Sequence, residues 1–254
     1  MTVPPSGPRP SSPRAGPGRR AVLLGGGLAA GAAGATAVWA LTGPSATAPV
    51  PASPGIPPDD DLMREHGVLK RVLLCYREMT RRIQAGKRVT APDLHDAALI
   101  IHDFIEGFHE GLEEGYVFPR LRREPTVAGT VTTLLVQHAR GRVLTQFILA
   151  KGTARDLASA GTRARLAAAM QAFVRMYEPH EAREDTVIFP AFRQAVPAQE
   201  LADLGQHFAD LERQQFGRDE FGAMVARVTS IEQQLGIYDL SQFTPQVGPY
   251  LPGT

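Results

Sequence analysis

The sequence predicts an all-α protein: an up-down-up-down four-helix bundle (hemi-repeats of two helices each) with an extra C-terminal helix and an irregular tail. Three observations predict it. Apolar residues recur at helical spacing over four long stretches between residues 59 and 192, joined by short connections. No stretch sustains the alternation, bounded by hairpin turns, that strands require. One segment is also written twice: HEGLEEGYVFPRL from His109 and HEAREDTVIFPAF from His180, 71 residues apart.

The first 58 residues stand outside that pattern. They hold 12 of the 21 prolines, the arginines Arg9, Arg14, Arg19 and Arg20, and no acidic residue, in a chain of net charge +1. Residues 1–43 comprise a Pro/Ser/Gly-rich start expected to be disordered, then Arg19-Arg20 and an uncharged Gly/Ala-rich stretch over 21–41. This reads as a twin-arginine signal, with export to the cell envelope, periplasm or extracellular space. Ala46-Thr47-Ala48 and Val50-Pro51-Ala52 are the candidate cleavage sites. If uncleaved, the stretch is long enough to remain as a membrane anchor across about 30 Å of bilayer. Residues 44–58 form a Pro-rich linker.

The bundle is expected over 59–192. Asp59-Asp60-Asp61 gives the first helix an acidic start, and Leu62, Leu69, Val72, Leu73 and Tyr76 give it an apolar face up to Ala85-Gly86. Thr90 caps the second, Pro92 lies in its first turn, and Pro119 is expected to stop it. The third runs from near Pro125 to Lys151-Gly152. The fourth runs from about Thr162 to Val187, with Pro190 as its stop and a kink expected at Pro179. Residues 193–254 form a helical extension and tail: a helix from Pro197 to Phe216-Gly217, a shorter one over 222–235, then irregular chain.

Composition removes several function classes. Cys75 is the only cysteine, which excludes an internal disulfide framework and a cysteine-based zinc site. No basic stripe with interleaved aromatics marks a nucleic-acid surface.

The repeat is larger than the quoted segment. His66 lies 43 residues before His109, and His138 lies 42 before His180. The chain thus contains two helical hairpins, each with a histidine on its first helix and H-E-x-x-E on its second. Antiparallel packing sets His66 level with His109 and His138 level with His180. Residues four apart share a helix face, which adds Glu113 to His109 and Glu184 to His180. Four imidazoles and two carboxylates inside a bundle need a compensating cation. Mixed nitrogen and oxygen donors suit iron, with manganese or zinc as alternatives.

At these residues the chain resembles the hemerythrin-like (HHE cation-binding) family, through REHGVL (64–69), FHEGLEEGYVFP (108–119), LLVQHARGR (134–142) and EPHEAREDTVIFP (178–190). The resemblance implies a non-haem centre of two irons per chain, with His66, His109, Glu113, His138, His180 and Glu184 as ligands and Glu110 at a position that ligates in some relatives. It also implies a small diatomic or peroxide partner. Two departures stand out. Oxygen carriers have a second histidine four residues along the third helix, where this chain has Arg142; they also use an aspartate at the position of Asp185, whereas internal symmetry favours Glu184. Reversible oxygen carriage is therefore not the expectation. An oxygen-, nitric oxide- or peroxide-binding protein for sensing, storage or detoxification is. The alternatives are a di-metal oxidase or peroxidase, and a purely structural bundle.

Other residues have plainer readings. His102, with Glu106 four residues on, rivals His109 but has no counterpart in the second copy. His95 and His207 read as surface residues. Cys75, Tyr116 and Tyr177 read as packing residues, and Phe118 and Phe189 as plugs of the bundle end.

Overall fold

The computed structural model describes residues 55–217 and 220–247. The segment expected to act as an export signal and most of the expected linker, as far as residue 54, lie outside the described residues. Among the described residues every regular element is helical, and no helix is long and apolar enough to cross a membrane.

Helix α1 (Pro58–Gln84) begins on the Asp59-Asp60-Asp61 run and buries Leu62, Leu69, Val72 and Tyr76. It closes at Gly86, whose φ of 67° favours a residue without a Cβ. Helix α2 covers residues 91–121, and the Thr90 hydroxyl accepts from the Asp93 amide at 3.2 Å. Helix α3 is Ala128–Lys151, and a short helix, Ala154–Ala158, leads out of it. Helix α4 covers residues 160–195, with Ser159 as its cap. Helices α5 (Ala198–Phe216) and α6 (Glu220–Gln234) follow, then a 3₁₀ turn at Leu240–Phe243.

Each of the first four helices packs on its two neighbours, α1 on α2 and α4, α3 on α2 and α4, which closes the bundle. Helices α5 and α6 lie against α1, and α6 also reaches α2. Arg71 on α1 is tied to Glu232 on α6 at 2.5 Å.

The prolines do not stop α2 and α4 as the sequence suggested. Both helices pass through a wide turn, Glu113–Val117 and Glu184–Ile188, in which the amide of Phe118 reaches back to the Glu113 carbonyl and that of Phe189 to the Glu184 carbonyl. These are i→i−5 bonds, the mark of π-helical geometry. An α segment then restarts with the proline in its first turn, where the missing N–H costs least, and runs on to Leu121 or Ala195. Pro179 lies inside the α-helical stretch Ala160–Arg183, and the departure from α geometry falls later, at Glu184. A longer π stretch, Ile100–His109, precedes the first copy of the repeat.

Candidate metal centre

The four histidines meet in the middle of the bundle, one from each helix, and all are nearly inaccessible to solvent. Their outer nitrogens are each held by an oxygen. His109 Nδ1 donates to Glu65 Oε2 (2.7 Å), His66 Nδ1 to Asp185 Oδ1 (2.7 Å), His138 Nδ1 to Glu114 Oε1 (2.9 Å) and His180 Nδ1 to Gln137 Oε1 (2.9 Å). Each ring, held at Nδ1 by an oxygen, turns Nε2 inward, where a neutral ring with its proton on Nδ1 offers a lone pair. Those inward atoms face one another in two pairs, His66 to His109 at 3.0 Å and His138 to His180 at 3.2 Å.

Glu113 and Glu184 connect the pairs. Glu113 sets Oε1 3.6 Å from His109 Nε2 and Oε2 3.4 Å from His138 Nε2. Glu184 Oε2 lies 3.1 Å from His180 Nε2 and 3.4 Å from His66 Nε2. Both residues are fully buried, and none of their four carboxylate oxygens has a hydrogen-bond partner.

That arrangement fits a cation. Two imidazole nitrogens bound at about 2.1 Å to one ion, roughly at right angles, lie about 3.0 Å apart. Facing lone pairs and orphaned carboxylates repel without a positive charge between them. The metal-free protein meets the demand with protons. Burial would push His66 down, but the hydrogen bond to Asp185 and the nearby Glu184 carboxylate carry it up to about 9. Burial and the neighbouring charge of His66 hold His109 well below its usual range. Burial, reinforced by the Glu184 carboxylate, holds Glu113 well above its usual range. Two triads, His66/His109/Glu113 and His138/His180/Glu184, each bring their donor atoms within 4.8 Å of one another.

The structure thus gathers six of the seven residues expected from the sequence. Glu110 stands apart from these six, in a third group of possible ligands with Glu114 and His138. It is buried on the outer side of His138, 3.9 Å from Nδ1. It accepts from the Tyr177 hydroxyl at 2.6 Å and pairs with Arg142 at 2.7 Å. The cause is its position one residue past His109, which turns it about 100° around the helix. Arg142 pairs with Glu110 and Glu114, each at 2.7 Å, and not with the inward-facing Glu113 or Glu184. Its charge, after the hydrogen bond from His138, draws Glu114 down to about 2. Glu110, by contrast, is pushed up to about 7 by burial, which outweighs Arg142 and Tyr177. Between the two candidates for the last carboxylate, Glu184 faces the centre and Asp185 holds His66 from outside. His102 is exposed and bonded to Asp103. His207 is exposed as expected, yet its ring meets the Tyr116 hydroxyl at 2.9 Å.

Sequence reasoning missed the outer partners. The signal was in the repeat one residue further on: Glu65 and Gln137 immediately precede His66 and His138, and Glu114 and Asp185 immediately follow Glu113 and Glu184. Phe118 and Phe189, expected as plugs of the bundle end, also lie against rings of the centre. Each is fully buried and stacks on a histidine of the other hairpin, Phe118 on His138 and Phe189 on His66, both with ring centroids 5.6 Å apart.

A helical bundle with a buried histidine and carboxylate cluster defines a class of metal-binding protein. Over residues 58–151 the chain matches the model of the hemerythrin HHE cation-binding domain. It is similar along nearly its whole length to uncharacterized proteins of Mycobacterium bovis and of two Mycobacterium tuberculosis strains. Each is 47% identical over 242 residues, covering 92% of this chain and 93% of the relative. No solved structure matches it. The family match ends at Lys151, so the placement of His180 and Glu184 comes from the repeat and the geometry.

Proposed function

We propose that the protein binds a pair of iron ions through His66, His109, His138, His180, Glu113 and Glu184, and there binds or reacts with oxygen, nitric oxide or a peroxide. One observation carries this reading: two facing imidazole pairs joined by two fully buried carboxylates whose oxygens have no other partner. Bound there, an iron pair would supply redox electrons and an open position for a small ligand. The chain's own part is to orient the four rings through their Nδ1 bonds, to supply the Glu113 and Glu184 carboxylates, and to exclude water with Phe118 and Phe189. Glu110 has no ligand role in this reading. Manganese or zinc would suit the same donors.

A second reading, a peroxidase or oxidase using the same residues, is favoured by a surface cavity of about 300 Å³ that reaches His180. Repeated turnover of peroxide would separate it from simple binding. The Arg19-Arg20 segment supports export, a route that carries folded proteins with metal already loaded; cell fractionation of the full chain tests it.

Metal analysis of protein purified without added metal is the direct test. About two irons per chain, with a charge-transfer absorption that changes on adding oxygen, nitric oxide or peroxide, would support the proposal. Metal-free protein, or zinc alone, would overturn it.

A further inference from the structure

The two halves of the centre share one plan of outer contacts but differ in the groups that fill it. In both hairpins the residue before the first-helix histidine holds the second-helix histidine: Glu65 holds His109 at 2.7 Å, and Gln137 holds His180 at 2.9 Å. In both, the residue after the inward-facing glutamate holds the other hairpin's histidine: Asp185 holds His66, and Glu114 holds His138. So the His66/His109 half has two carboxylates behind its rings. The His138/His180 half has one carboxylate and a neutral amide, and its carboxylate is shared with the Arg142 guanidinium at 2.7 Å.

A carboxylate behind an imidazole draws on the Nδ1 proton and makes Nε2 a stronger donor; an amide oxygen does so more weakly. A surface cavity also reaches the half with the weaker donors. The cavity of about 300 Å³ between α3 and α4 is lined by Thr133, Gln137, Pro179, His180 and Arg183. Gln137 and His180 therefore belong both to the centre and to the wall of a surface opening.

We infer that the two metal positions are unequal, that the His138/His180 position is the weaker and more exchangeable one, and that Gln137 is the positioning residue that sets the difference. The inference rests on the two-ion reading above. It also assigns the His138/His180 side as the one that an incoming small molecule meets first.

The test is metal uptake by the full chain after chelation, titrated anaerobically with iron(II), and separately with cobalt(II), against a competing chelator. Outer partners of this kind change affinity about 10–100-fold. Wild-type protein should take up two ions in two steps, or one ion with the second held too weakly to retain. Shared carboxylates would split the steps even in a symmetric site, so the variants decide. Gln137→Glu should tighten the weaker step by about tenfold or more and leave the tighter one in place. Glu65→Gln should weaken the tighter step by a similar factor. Both changes are isosteric, and circular dichroism would check that the helices persist. Equal responses of both steps to Gln137→Glu, or no response, overturn the inference while leaving the two-ion reading standing. Uptake of no metal overturns that reading itself.

Discussion

Glu113 is the residue whose chemistry most depends on what lies beside it. Buried next to a second carboxylate, it is held well above the ordinary carboxylate range by burial first and by Glu184 second. Metal binding needs it ionised, so protons compete with metal. Affinity should fall as pH drops through this raised value, with loss beginning above the usual carboxylate range; dialysis across a pH series with metal analysis measures it. Glu113→Gln should act in opposite directions on the two states. The metal-free protein should become more stable by about 1–3 kcal/mol, because an uncompensated buried acid is gone, while the stabilisation gained on adding metal should largely vanish. Thermal melts with and without metal read both. Cys75 makes a simpler case. Burial, with Glu232 nearby, pushes its thiol up to about 12, so it stays protonated at neutral pH. A thiol reagent at pH 8 should leave the native chain unlabelled and modify it fully once denatured.

The wide turns are where helix-scale reading of the sequence fell short. Apolar spacing located all six long helices, because burial on one face writes a 3.6-residue period into the chain. An i→i−5 turn changes that period over a single turn, too short for periodicity to register, and Pro119 and Pro190 then read as stops when they are restarts. The duplicated placement of the turns, each beginning at one of the two inward-facing glutamates, ties the irregularity to the site. Packing between α3 and α4 offers a separate test. A Cβ at Gly141 would lie 2.2 Å from the Tyr177 hydroxyl. Tyr177 has little room to yield, being stacked on Phe173 at 4.2 Å and bonded to Glu110 at 2.6 Å. Gly141→Ala should therefore cost about 1–3 kcal/mol in urea unfolding.

Across the whole molecule, the bundle and the six inward residues were legible because two hairpins with matching offsets constrain one another; a lone His-x-x-x-Glu such as His102 with Glu106 carries no such constraint. The outer shell was not legible. Glu65, Gln137, Glu114 and Asp185 look like ordinary solvated helix residues until the opposing helix shows which ring each one meets. Nor does any local pattern announce that α5 and α6 fold back on α1. A bound ion that touches all four helices should raise the unfolding temperature, with a gain that grows with free metal concentration. Chelation should lower it without dissolving the helices, since the apolar core around Tyr76, Phe173 and Phe192 needs no metal.

The crossing contacts have one more consequence. Phe118 and Glu114 of the first hairpin serve His138 of the second, while Phe189 and Asp185 of the second serve His66 of the first. The single chain therefore has the internal plan of a dimer whose two subunits have been joined end to end. Each hairpin carries its own triad but borrows an outer partner and a stacked phenylalanine from its twin, so a change confined to one of them is felt in both.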